Sequence, residues 1–62
     1  MNLKTTIDNF DFCLLGSVII VFRDQWQINA FTALDNNGLP RIGCQEDLDN
    51  EAMWWLRDNG VL

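Results

Sequence analysis

Histidine and tyrosine are missing from this 62-residue chain, and proline occurs once. Histidine is the side chain that most often acts as a general base near neutral pH and most often binds metals. Neither cysteine has a histidine to activate it, and Ser17 stands in an apolar segment without a base beside it, so nucleophilic catalysis has little support. We therefore expect a protein that is not an enzyme and that binds no metal and no cofactor.

Positive charge is also scarce, because four Lys and Arg stand against nine Asp and Glu, which gives a formal net charge of −5. Lys4, Arg23, Arg41 and Arg57 are scattered along the chain and form no cluster that would hold a phosphate backbone. An acidic field repels nucleic acid and attracts basic partners. The sequence thus predicts no direct binding to nucleic acid. An alternative explanation of the acidity is that it keeps a small apolar protein soluble.

Long apolar runs are missing too. The longest, residues 13–22, contains Gly16 and Ser17 and falls far short of the roughly 20 residues that a membrane span needs. Near the start of the chain, Asp8 and Asp11 stand where a secretory signal would have its apolar centre. We expect no membrane association and a cytoplasmic location, in which the two cysteines remain free, buried thiols.

The middle of the chain has the composition of β structure. Residues 12–23 and 26–34 are rich in β-branched and aromatic side chains, and Asp24-Gln25 between them predicts a hairpin turn. Residues 35–38, Asp-Asn-Asn-Gly, form a second turn signal, after which residues 39–44 are predicted to return as a third strand. The proline in this strand places it at a sheet edge, because proline has no amide proton to donate.

A helical repeat follows the predicted strands. Asp47 is expected as its N-cap, and Asn59-Gly60 supplies a C-terminal stop. We predict an α+β domain spanning residues 1–62: a three-stranded antiparallel meander with one C-terminal helix packed on one face. The N-terminal segment, residues 1–11, stays of uncertain form, with weak signs of a short helix. The buried stripe of the helix is predicted to consist of Leu48, Ala52, Trp55 and Leu56.

The predicted hairpin register divides the sheet into two faces. With Asp24-Gln25 as the turn, Phe22 lies opposite Gln27. Successive side chains of a strand point to opposite faces of the sheet, so this pairing predicts the face on which each other residue lies. The helix is expected on one face, with Trp55 above two small residues, Ala30 and Gly43. The other face needs a cover, which is the N-terminal segment, a second copy of the chain or a partner protein. That face is predicted to carry Val18, Ile20, Phe22, Phe31 and Ile42.

Trp54 is the residue most indicative of a binding site. On a helix it points about 160° away from the buried stripe, and exposed tryptophan is typical of the hot spots of protein interfaces. Asp47, Glu51 and Asp58 surround it at helical spacing and form an acidic rim. This group predicts a contact surface for a basic partner, and the alternative is that Trp54 packs on the N-terminal segment as core. A second candidate surface consists of Phe22, Ile20 and Phe31.

Together these features favour a small acidic protein-binding module. Such a module would act stoichiometrically, as an inhibitor that occupies a basic, nucleic-acid-binding surface of a partner complex. In size and charge alone the chain is similar to small acidic proteins of viral or mobile-element origin, namely DNA mimics and anti-CRISPR inhibitors. The alternative is a structural homodimer that pairs through the apolar sheet face, with acidity that serves solubility only.

Overall fold

The computed structural model describes residues 2–62, and Met1, the first residue of the segment of uncertain form, lies outside the described residues. In this part of the chain four strands form one antiparallel sheet in sequence order, and a C-terminal helix packs against it. The predicted α+β class is confirmed. The elements are β1 (Lys4–Ile7), β2 (Phe10–Leu15), β3 (Val18–Arg23), β4 (Trp26–Thr32) and α1 (Gln45–Asp58).

The N-terminal segment forms a hairpin with the next strand, so the sheet differs from the predicted three-stranded one. β1 pairs with β2 through the turn Asp8-Asn9, whose φ angles are 50° and 69°. The predicted strand over residues 12–23 is divided into β2 and β3, because the chain reverses at Gly16 and Ser17. Gly16 has a φ of 62°, and glycine is the residue that a type II′ turn prefers at its first central position.

The predicted third strand, residues 39–44, is mainly a loop. Pro40 forms an isolated bridge with Leu34, and the amide of Arg41 donates a hydrogen bond to the carbonyl of Ala33 at 2.9 Å. Proline cannot donate to a strand ladder, so the pairing ends after these contacts. The loop then continues towards α1, and this path places the guanidinium of Arg41 beside the helix.

A β-bulge between β3 and β4 changes which side chains share a face. Phe22 lies opposite Gln27, as the turn predicts, but Val21 lies opposite Asn29. Ile28 is therefore an extra residue on β4 without a partner position on β3. An extra residue shifts the alternation of all following side chains by one.

Beyond the bulge, the predicted faces of β4 are reversed. Phe31 pairs with Ile19 on the helix side of the sheet, and Ala30 pairs with Ile20 on the far side. The sequence predicts Phe31 on the same face as Ile20 and Phe22, and this prediction is wrong. Phe31 packs against the core instead, whereas Ile20 and Phe22 lie half-buried on the side opposite α1.

α1 lies over one half of the sheet. Its backbone approaches β1 and β2, and among the described residues it makes no comparable approach to β3 or β4. Trp55 packs against Phe10 and Phe12, with ring centroids 5.9 and 5.8 Å away. The predicted position of Trp55 above Ala30 and Gly43 is wrong, because Ala30 faces the other way. The buried core is Phe10, Phe12, Leu14, Ile19, Val21, Ala33, Ile42, Leu48, Ala52 and Leu56.

Local interactions close both ends of α1. Cys44 precedes the first turn and makes no side-chain capping bond within residues 2–62; it is exposed, contrary to the expected buried thiol, although both cysteines are free. Asp47 lies inside the first turn rather than at the N-cap, and its carboxylate accepts a bond from the Gly43 amide at 2.9 Å. Gly60 ends the helix with a φ of 75°. Within residues 2–62 no helix has both the length and the apolar character of a membrane span.

Candidate functional site

Trp54 projects from the outer face of α1, as its helical position predicts. Its side chain is 57% exposed, while Leu48, Ala52 and Leu56 are buried against the sheet. The alternative, in which Trp54 packs on the N-terminal segment as core, is wrong because the Trp54 side chain is exposed and lies outside the buried core. A large aromatic side chain left in water is the feature that the α1 surface offers for binding.

Trp54 stands between two open grooves. The smaller, which we call the Asn50 groove, has a volume of about 220 Å³ and the larger, the Phe31 groove, about 420 Å³. The larger groove exists because α1 leaves the helix side of β4 uncovered. The Asn50 groove is lined by Arg41, Asp47, Asn50, Glu51 and Trp54, and the Phe31 groove by Phe31, Arg41, Glu51, Trp54, Trp55 and Asp58.

Glu51 is not the exposed rim charge that its spacing predicts. It is 8% exposed, and its carboxylate accepts bonds from Nε of Arg41 at 2.7 Å and from Nη2 at 3.1 Å. Nη1 of the same guanidinium donates to the carbonyl of Leu34 at 3.2 Å. Within residues 2–62 this is the only ion pair. It neutralises the carboxylate and ties the loop over residues 39–44 to α1.

Asp47 and Asp58 are the acidic residues that remain at the groove edges. Asp58 is exposed in the last turn of α1, and Asp47 is half-buried, with one oxygen bonded to the Gly43 amide. Neither carboxylate pairs with a cation in the described part of the chain. The predicted three-residue acidic rim around Trp54 is thus reduced to two residues.

The fold divides the second candidate surface. Phe22 and Ile20 stay together on the side of the sheet opposite α1, whereas Phe31 lines the groove beside Trp54. The N-terminal segment, one of the predicted covers, instead contributes the edge strand β1 and the start of β2 to the sheet itself, and Ile42 is buried in the core. We call the apolar side opposite α1 the far face, and it comprises Leu15, Val18, Ile20 and Phe22.

Neither the exposure of Trp26 nor the pairing of Arg41 with Glu51 is among the predictions made from the sequence. Trp26 is 77% exposed, directly after the Asp24-Gln25 turn. A signal existed for Trp26, because the first residue after a hairpin turn lies at the end of a sheet with few neighbours. No comparable signal existed for Arg41, which lies ten positions before its carboxylate partner and meets it through the path of a loop.

The described residues offer surfaces for contact and no assembled metal site. Within residues 2–62 no group of three cysteine or acidic side chains comes close enough together to hold a metal ion. Comparisons of the chain with models of protein families, with curated protein sequences and with solved structures found no match. Function is therefore inferred from the chemistry of the α1 surface and of the far face.

Proposed function

We propose that this chain is a small acidic protein-binding module that engages a basic surface of a partner protein through the outer face of α1. The supporting observation is exposed Trp54 between two grooves, with Asp47 and Asp58 at their edges. Tryptophan is enriched in interface hot spots, and rim carboxylates attract and orient a partner of opposite charge. The net charge of −5 favours the same kind of partner.

The proposal extends to stoichiometric inhibition. Proteins that bind nucleic acid carry basic surfaces for the phosphate backbone. An acidic module seated on such a surface would exclude the nucleic acid, without an enzymatic step. The likeness to DNA mimics and anti-CRISPR inhibitors of viral or mobile-element origin rests on size and charge.

The far face supports a second candidate function. Leu15 and Val18 are 50% and 36% exposed there, beside half-buried Ile20 and Phe22. A structural homodimer that joins two far faces would remove this apolar surface from water. In that case the acidity serves solubility. The two candidates use opposite sides of the sheet, so substitutions on one side leave the other intact.

A titration with a defined basic peptide tests the first proposal. The probe is a synthetic peptide of alternating arginine and glycine, added at low salt to isotope-labelled protein and followed by NMR. We expect shifts at the Trp54 indole and along the outer face of α1. The double variant Asp47→Asn, Asp58→Asn should bind about tenfold more weakly, which corresponds to about 1.4 kcal/mol.

The matched control is the double variant Asp8→Asn, Asp24→Asn, which changes the net charge by the same amount. Both control residues have positive φ in turns, where asparagine is well tolerated. Its binding should weaken much less than that of the first double variant. Equal losses in the two double variants, or shifts confined to the far face, contradict the proposal.

A further inference from the structure

We propose that the Phe31 groove binds the guanidinium of an arginine on the partner, stacked on Trp54 and paired with Asp58. This inference rests on the proposed function and specifies the contact at its centre. Trp54 and Asp58 are four residues apart on α1, so their side chains are neighbours on the helix surface. Both line the same groove, which therefore offers an aromatic face and a carboxylate to one ligand.

The aromatic walls come from two elements. Phe31 reaches the groove from β4, and Trp54 and Trp55 reach it from α1. Trp55 is held in place because its ring packs on Phe10 and Phe12 at tilted and edge-on angles of 58° and 73°. A wall that is already ordered by the core loses little conformational freedom when a ligand binds.

The charges of the groove favour a cation at the Asp58 end. Arg41 and Glu51 neutralise each other in a two-bond ion pair, and Leu34 accepts a further bond from the guanidinium. The lining then holds one cation against two carboxylates, which leaves one negative charge, at Asp58. Asp58 has no cationic partner within residues 2–62, so an incoming cation can neutralise it.

Arginine suits this groove better than lysine. Its guanidinium is planar and weakly hydrated, so it stacks on an indole and still donates in-plane hydrogen bonds to a carboxylate. A lysine ammonium is compact and strongly hydrated, and it gains less from the aromatic walls. The volume of about 420 Å³ lies within the range of about 300–1,000 Å³ that is usual for ligand sites.

The test compares three peptides of equal length, made of six arginines, six lysines or six citrullines. Citrulline keeps the planar shape of arginine without its charge. Binding to the full chain is measured by NMR and by Trp fluorescence. We expect the arginine peptide to bind about fivefold more tightly than the lysine peptide and the citrulline peptide to bind more weakly than both.

Two variants and a control locate the contact. Trp54→Ala should remove the preference for arginine over lysine, while Asp58→Asn should weaken both charged peptides more than the matched charge change Asp24→Asn does. Circular dichroism confirms that each variant is folded. If the arginine and lysine peptides bind equally to the wild-type protein, the arginine inference is overturned. The same holds if Asp58→Asn and Asp24→Asn weaken peptide binding by the same amount. Either outcome leaves the wider proposal of a basic partner standing. Failure of both charged peptides to bind at low salt overturns the two together.

Discussion

At the scale of single residues, the two adjacent tryptophans of α1 have different roles. Trp55 packs on Phe10 and Phe12 and is half-buried, whereas Trp54 is exposed between the grooves. Adjacent residues on a helix point about 100° apart, so one can support the core while the other faces solvent. The binding surface can therefore be changed without a change in the core beneath it.

We expect Trp55→Ala to lower the free energy of unfolding by about 3 kcal/mol, the low end for a core tryptophan because Trp55 stays partly exposed. A domain of this size has only about 5 kcal/mol in total, so the loss should be large in a denaturant titration. The matched control Trp54→Ala should change the free energy of unfolding by about 0.5 kcal/mol or less. A larger loss for Trp54→Ala than for Trp55→Ala would mean that the helix is rotated from the phase described.

Glu51 shows at the same scale how a surface charge can become structural. Its spacing from Trp54 places it on the helix flank, and helical geometry alone predicts an exposed carboxylate. The loop that follows β4 places Arg41 beside Glu51. In the resulting ion pair the carboxylate of Glu51 is shielded from solvent, whereas the Arg41 side chain stays partly exposed. The buried carboxylate is satisfied by hydrogen bonds within the chain, so a partner gains little by approaching it.

At the scale of elements, the two-residue hairpin turn between β3 and β4 requires a left-handed backbone conformation at both of its central residues. Asp24 and Gln25 have φ angles of 52° and 71°, which is the left-handed pair that a type I′ turn requires. Aspartate tolerates this region, but the Cβ and longer chain of glutamine make it costly at the second position. Glycine is the residue preferred there.

Gln25→Gly should therefore raise the free energy of unfolding by about 0.5–1 kcal/mol, since relief of the left-handed strain exceeds the added entropy of the unfolded chain. Gln27→Gly is the control. It makes the same change within β4, where glycine weakens a strand, and should lower the free energy of unfolding by a similar amount. Both are measured by thermal and denaturant unfolding. If Gln25→Gly destabilises the protein, the turn does not have the described conformation.

The elements also differ in how far local signals predicted them. The 3.6-residue period of α1 and the glycine after it are sufficient to predict the helix and its end, because both act within a few residues. The start is not predicted correctly, since α1 begins at Gln45 and Asp47 lies in its first turn. The sequence predicts one strand over residues 12–23, because their apolar run continues across Gly16 and Ser17. A two-residue reversal leaves little trace in composition, and only the pairing of β2 with β3 makes it evident.

At the scale of the whole molecule, the acidity and the far face favour different assemblies. Two copies of a chain with a net charge of −5 repel each other, whereas exposed Leu15 and Val18 favour association. We expect the charge to prevail and the protein to be monomeric from about 1 to 100 μM. Sedimentation across this range measures the mass directly.

The double variant Leu15→Thr, Val18→Thr is the control for that measurement. It removes apolar surface from the far face, and the sheet should be kept because threonine is a residue favoured in β-strands. The variant should sediment as a monomer, like the wild-type protein. A wild-type dimer that becomes monomeric in this variant would favour the structural homodimer over the binding module.

Local chemistry in the sequence determined the α+β class, the reversal at Asp24-Gln25, the end of α1 just before Asn59-Gly60 and the position of Trp54 on the outer face of α1. Each depends on the backbone preference or the spacing of a few neighbouring residues. Tertiary structure alone decided the bulge at Ile28, the position of α1 over β1 and β2, and the pairing of Arg41 with Glu51. These depend on which distant segments share buried surface, and that choice minimises the energy of the whole core rather than of any one segment. The Phe31 groove follows from these three features, so no local pattern in the sequence could have revealed it.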